Sequence, residues 1–248
     1  MIKDLIQNLI RNHFVVGLKV GTEVEDCSFE EILDLQSQLP SNCLFVIKIG
    51  GVEARNDIRF ALHHRIDKIL APMVETVYGF ENFINTILEL EKELGVSVKK
   101  AINLETETGI SHLSKIVENP LFSHISSVTI GRGDLSASMK LSSVNDPKVQ
   151  DATAYCVKLL AKAGKEISIG GSINKDSVKF FKSLATPIFF NTRNVILKID
   201  PQLSNDIFLE SINKALEFEM ALCTHWQKLF PLKKEMYEKR IKVLEKRL

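Results

Sequence analysis

Apolar positions along the chain follow two alternating rhythms. Short runs dense in Val, Ile, Leu and Phe read as strands: Val15–Glu23, Leu44–Ile49, Lys68–Val74, Val98–Glu105, Ser127–Gly131, Glu166–Gly171 and Ile188–Asn191. Between them apolar residues recur at three- and four-residue spacing, as in Ile58, Leu62 and Ile66 or Val157, Leu160, Ala161 and Gly164, the mark of one helix face. A leading amphipathic helix carries Leu5, Ile6, Leu9 and Ile10. Local start signals agree: Ser28 with Glu31 forms a capping-box pattern, and Asp146-Pro147 sets a cap before a proline in a first turn.

Strand and helix in regular alternation build a parallel sheet with right-handed crossovers. Such a sheet closes into a barrel or stays open and doubly wound. An open nucleotide-binding sheet usually carries G-x-G-x-x-G after its first strand or a G-x-x-x-x-G-K-[ST] loop, and this chain has neither. The pattern therefore predicts an α/β fold, a (β/α)8 TIM barrel over residues 1–205, with the open sheet as the alternative. Its eighth strand comes from Asn194–Ile199 or lies near the N-terminus.

From about Asp206 the rhythm becomes one long helix, broken by Pro231, then a second with a stripe of Tyr237, Ile241, Leu244 and Leu248. Residues 206–248 are thus an extended C-terminal helical segment that completes the barrel or mediates oligomerisation. The stripe needs an apolar neighbour, and a second subunit of a homo-oligomer is expected to supply it. The basic residues around it, among them Lys239, Arg240 and Arg247, read as a solvated face.

Composition narrows the function classes. A length of 248 residues fits one barrel, since such barrels run to about 250. The 32 Lys and Arg nearly cancel the 31 Asp and Glu, leaving no broad field for nucleic acid or an anionic membrane, so a small-molecule substrate is expected. The start lacks a basic region followed by a long apolar run, and no stretch approaches about 18 apolar residues; a cytoplasmic protein is expected. Cys27, Cys43, Cys156 and Cys223 form no C-x-x-C pair and read as buried free thiols. The six histidines form no recognisable set and read as surface or packing residues.

In a parallel barrel the chemistry sits at the C-terminal ends of the strands. Polar residues there include Lys19 and Glu23, Lys48, Asn103 and Glu105, and the segment Gly131-Arg132-Gly133-Asp134. Carboxylates on neighbouring strand ends suit a hard oxygen-seeking ion such as Mg²⁺ or Mn²⁺. Glu75 and Glu107 read instead as caps or ion-pair partners. Lys48 and Arg132 are candidates to stabilise developing negative charge, and Glu23 is the candidate for proton transfer. Gly131 and Gly133 leave backbone amides open to a carboxylate.

Three motifs carry a resemblance: Ala71-Pro72-Met73-Val74-Glu75-Thr76, then Asn103-Leu104-Glu105-Thr106, then Ile130-Gly131-Arg132-Gly133-Asp134-Leu135-Ser136-Ala137-Ser138-Met139. In order and spacing they resemble the HpcH/HpaI aldolase and citrate lyase family of the phosphoenolpyruvate/pyruvate barrel superfamily. The resemblance implies a divalent metal on Glu105 and Asp134, substrate contacts at Pro72, Thr106, Gly131 and Gly133, and a strand-end cation on the substrate's carboxylate or enolate oxygen. Lys48 stands at that last place, where the family usually has Arg. The implied activity is a metal-dependent carbon–carbon lyase or aldolase acting on a 2-oxo acid or a related acyl thioester. Two departures mark a divergent branch. Gly21-Thr22-Glu23-Val24-Glu25-Asp26 contains no His where the aldolases usually have an acidic residue followed by one, and Arg132 replaces the usual Pro. A Schiff-base aldolase using Lys48 or Lys19, or a non-catalytic barrel binding a metabolite or protein, are the alternatives.

Overall fold

The computed structural model describes residues 1–184, 186–200 and 202–248. Its strands are β1 (Val15–Gly21), β2 (Leu44–Lys48), β3 (Lys68–Ala71), β4 (Lys99–Leu104), β5 (Ile125–Gly131), β6 (Glu166–Gly170), β7 (Phe189–Asn191) and β8 (Val195–Leu197). They close in sequence order into a barrel. Around it run α1 (Ile2–Asn12), α2 (Phe29–Ser37), α3 (Arg55–His63), α4 (Val77–Leu94), α5 (Glu107–Glu118), α6 (Arg132–Ser138), α7 (Pro147–Lys162) and α8 (Lys175–Ser183), followed by α9 (Asn205–Leu229) and α10 (Lys234–Glu245). The expected TIM-type barrel is present, with its eighth strand inside the Asn194–Ile199 run. Both sequence-predicted caps form: the Glu31 carboxylate accepts from the Ser28 amide at 2.6 Å, and Asp146 accepts from the Lys148 amide at 2.9 Å. No helix among the described residues is long and apolar enough to cross a membrane.

One strand departs from the all-parallel expectation. β8 runs antiparallel to both of its neighbours, β7 and β1. Only residues 192–194 separate β7 from β8, and a parallel crossover needs about a dozen residues or more. Thr192 closes the resulting hairpin: its amide donates to the Val195 carbonyl at 3.0 Å and its hydroxyl accepts from the Val195 amide at 3.1 Å.

The main core lies between the outer faces of the strands and the helices, and it includes Leu18, Ile47, Ile69, Leu104 and Ile130. The inward faces contribute a much smaller cluster of Val46, Leu70, Ala101 and Ile196. So lightly filled an interior leaves two cavities along the barrel axis. The lower, about 210 Å³, lies beside Lys68 and Ser127 at the N-terminal ends; the upper, about 220 Å³, opens at the C-terminal ends. Lys19, Thr129 and Asn191 border both.

The C-terminal segment folds back on its own chain. After Pro231 the chain turns back and α10 packs against α9, burying Tyr237 and Leu244 of the apolar stripe within the same molecule. The fold thus covers part of the stripe, while Leu248 at its end stays 51% exposed. Glu219 of α9 is wholly buried and binds both neighbours: one carboxylate oxygen accepts from the Asn194 amide of the β7–β8 hairpin, the other from Arg240 of α10, each at 2.8 Å. Breaking such a pair from one side strands a buried charge, at a cost of about 3–5 kcal/mol. An Arg240→Met variant is expected to lose stability on that scale in urea unfolding; a loss under about 1 kcal/mol, the scale of an exposed pair, would show that the contact is not holding the hairpin and α10 together.

Candidate active site

Alternation along β4 sends Leu104 outward to the helices and turns Asn103 and Glu105 toward the barrel interior. Glu105 is 3% exposed and anchored through both oxygens. Oε1 accepts from the Met73 amide at 3.0 Å and lies 3.5 Å from Lys48 Nζ, while Oε2 accepts from Asn103 Nδ2 at 3.0 Å. Met73 holds a φ of 48° to aim that amide, a conformation that costs a residue other than glycine about 1–3 kcal/mol. Gly131 provides the space on the other side: a Cβ there would stand 2.7 Å from both Cβ and Oε2 of Glu105.

Asp134 projects from the first turn of α6, is exposed, and borders the same upper cavity as Glu105. It has no ion-pair partner among the described residues. Burial raises the Glu105 carboxyl above its ordinary range; Lys48 and the Met73 amide oppose this, and the negative charges of Asp134 and Glu23 add to it. The sequence-predicted pair thus converges on one cavity, close enough for mutual repulsion. Beside it, Asn103 Oδ1 is buried without a hydrogen-bond partner. An oxygen-only donor set with an orphaned oxygen fits a hard divalent cation. No cluster of three or more His, Cys, Asp or Glu gathers there among the described residues. One or two carboxylates, with water and substrate completing the shell, is how Mg²⁺ is commonly held.

Lys48, at the end of β2, is 6% exposed and sits 2.6 Å from Glu23 Oε1. Burial works against its charge, but Glu105, Glu23 and Glu25 together outweigh burial and raise its pKa. Lys48 is thereby fixed as a cation. Glu23 does not border the upper cavity, because β1 stops at Gly21 and strand alternation no longer governs the loop beyond. The acid of this loop that borders the cavity is Glu25, whose carboxylate fills the space a side chain at Gly21 would need. Burial raises the Glu25 pKa against the pull of Lys19 and Arg193, and burial lowers the Lys19 pKa against the pull of Glu25. Burial thus weakens the charged form of both groups, and perturbed acids and bases in a cleft are candidates for proton transfer. Sequence reasoning passed over Glu25; its signal was its place two residues after Glu23 in an acidic loop.

Arg132 is not at the cavity. It is wholly buried, and its guanidinium donates to the Gly171 carbonyl at 3.0 Å, Ser177 Oγ at 3.1 Å and the Val144 carbonyl at 3.3 Å, lying 4.6 Å from the centre of the Phe181 ring. Burial lowers it to about 10, so it stays charged near neutrality and braces the loops behind the site. Gly131 and Gly133 border the cavity, whereas Pro72 and Thr106 do not. Pro72 is buried and leads into the Met73 turn, and the Thr106 hydroxyl caps α5 by accepting from the Gly109 amide at 3.0 Å. Cys27 is buried with its thiol pushed up to about 12, which removes it as a nucleophile at neutral pH. Among the described residues no histidine borders the cavity, but Arg193, Arg240 and Arg247 do. The last two come from the C-terminal segment that sequence reasoning had set apart as a solvated face.

Comparison with known proteins agrees with this architecture. A HpcH/HpaI aldolase/citrate lyase family protein from Burkholderia cenocepacia J2315 superposes with a TM-score of 0.59 at 14% identity, covering 74% of this chain and 80% of its own. The citrate synthase SbnG gives a TM-score of 0.59 at 16% identity, with 78% and 83% covered. Macrophomate synthase gives 0.56 at 15%, with 77% and 75% covered. Likeness at these identities shows the fold. A search of curated protein sequences finds no match. The family model HpcH/HpaI aldolase/citrate lyase matches residues 39–177, a span that takes in β2 through β6 and all three motifs. By that match over more than half its length, the chain belongs to the HpcH/HpaI aldolase/citrate lyase family.

Proposed function

We propose that this protein is a divalent-metal-dependent carbon–carbon lyase that cleaves a 4-hydroxy-2-oxo acid, or joins its halves in reverse. The observation that carries the reading is the convergence of Glu105 and Asp134 on one cavity, with the Lys48 ammonium against Glu105. Mg²⁺ or Mn²⁺ held by those carboxylates would supply Lewis acidity to the carboxylate and keto oxygens of the substrate. Lys48, kept charged by its acidic neighbours, faces negative charge as it develops on the keto oxygen. Gly133, where an added Cβ would meet only Gly171 Cα at 3.8 Å, lets the substrate's carboxylate approach the backbone closely, while the space beside Gly131 is taken by Glu105. Glu25, a stronger base than an ordinary carboxylate, takes the proton from the 4-hydroxyl as the C3–C4 bond breaks. The bonding electrons pass to the pyruvoyl half as an enolate, and a proton returned to C3 completes the product.

Treatment with a chelator is expected to reduce turnover of such a substrate to background, and added Mg²⁺ or Mn²⁺ to restore it. One observation favours a second reading. Lys19 borders the cavity, and burial lowers its pKa, the condition for an amine nucleophile. Chelator-resistant turnover, with a covalent adduct trapped by borohydride at Lys19, would replace the metal reading with that one.

A further inference from the structure

The cations around the upper cavity are unevenly matched. Lys48 pairs with Glu23, Arg240 is bound to Glu219, and Glu25 is the strongest favourable charge on Lys19. Arg193, in the β7–β8 hairpin, and Arg247, just beyond α10, have no carboxylate within ion-pair distance among the described residues. The Arg193 guanidinium makes no hydrogen bond to the described protein. Arg247 makes one, at 3.5 Å, to the Ile173 carbonyl. Burial lowers the Arg247 pKa; Glu219 opposes this, and the charges of Arg240 and Arg193 add to it. Glu25 is the acid that feels Arg193 most directly, yet among the described residues it makes no ion pair with it, so both guanidiniums border the cavity with donors to spare.

Their position relative to the carboxylates follows from the topology. In a closed barrel of eight strands in sequence order, β8 stands across the axis from β4. Arg193 enters β8 and Glu105 leaves β4, so the basic cluster and the acidic pair face one another over a single cavity. The planar fork of a guanidinium matches the oxygens of a carboxylate or phosphate.

We infer that Arg193 and Arg247 form an anion subsite for the half of the substrate remote from the 2-oxo acid, so that this half carries its own carboxylate or phosphate. The C-terminal segment then completes the substrate site within one chain. This inference rests on the lyase reading for what lies at the other end, but the subsite can be tested apart from it.

The test is a calorimetric titration of the full-length protein with glutarate and, separately, inorganic phosphate, without metal, using wild type, Arg193→Gln and Arg247→Gln. Arg247 has no carboxylate within ion-pair distance among the described residues, while Arg193 is one of the charges that oppose burial on Glu25, so the unfolding midpoint checks the fold of each variant and Arg247→Gln is the cleaner of the two. The wild type is expected to bind at least one probe, and each variant to bind it about tenfold or more weakly, the effect of one charge-assisted contact. The preferred probe tells carboxylate from phosphate. Unchanged affinity in both variants, or no binding by the wild type, would overturn the subsite. Oxalate with Mg²⁺ is titrated in parallel: if oxalate fails to bind while the arginine-dependent probe still does, the metal reading falls and the subsite stands.

Discussion

Replacing Glu105 with Gln is expected to lower both Mg²⁺ affinity and metal-dependent turnover by at least about a hundredfold, because changing even the groups behind a metal ligand costs about 10–100-fold. The substitution keeps shape but removes charge. One carboxylate oxygen becomes an amide nitrogen facing a donor, either the Met73 amide or Asn103 Nδ2, a local penalty of about 1–3 kcal/mol. Lys48 keeps Glu23 as a partner at 2.6 Å, so the cavity wall has a reason to survive. Asp134→Asn should act in the same direction with little change in stability, since Asp134 is exposed and unpaired among the described residues. Titration calorimetry and steady-state rates read both effects; wild-type metal affinity in Glu105→Gln would remove that residue from the ligand set.

Gly131→Ala is expected to damage activity far more than its single methyl suggests. The added carbon would sit 2.7 Å from Glu105 Cβ as well as from its carboxylate, so rotating the side chain does not relieve the overlap. Either β4 and β5 move apart or Glu105 moves. Overpacking of this kind costs about 1–3 kcal/mol of stability, and a displacement of about 1 Å at a reacting centre costs about a hundredfold in rate. The expected result is a folded protein with a modestly lowered unfolding midpoint and a turnover reduced about a hundredfold. Near-normal turnover would mean that the contact between Gly131 and Glu105 does not set the carboxylate's place.

Much of this arrangement was legible from apolar periodicity, which depends on burial, and burial is what a barrel imposes on each strand. The positions of Lys48, Glu105 and Gly131 follow from strand ends whose flanking residues all point to one register. Periodicity carries no information on strand direction, so the antiparallel β8 had to come from the shortness of the segment before it. It also fails where a strand stops, and Glu23 was assigned by an alternation that ends at Gly21, leaving Glu25 unnoticed in the loop. Arg132 misled for a geometric reason. It precedes Asp134 by two positions in α6, which places the two side chains about 200° apart around the helix, so adjacency in sequence sent them to opposite faces. Arg240 and Arg247 were illegible because nothing local to α10 tells whether its charges meet solvent or fold back over the barrel mouth.

A crystal structure of the protein soaked with Mn²⁺ and oxalate tests the central claim most directly, through anomalous scattering from the metal. The account predicts one strong peak between the carboxylates of Glu105 and Asp134, at oxygen distances of about 2.0–2.2 Å, with oxalate completing the shell inside the upper cavity. A peak elsewhere, or none while oxalate is bound, would contradict it.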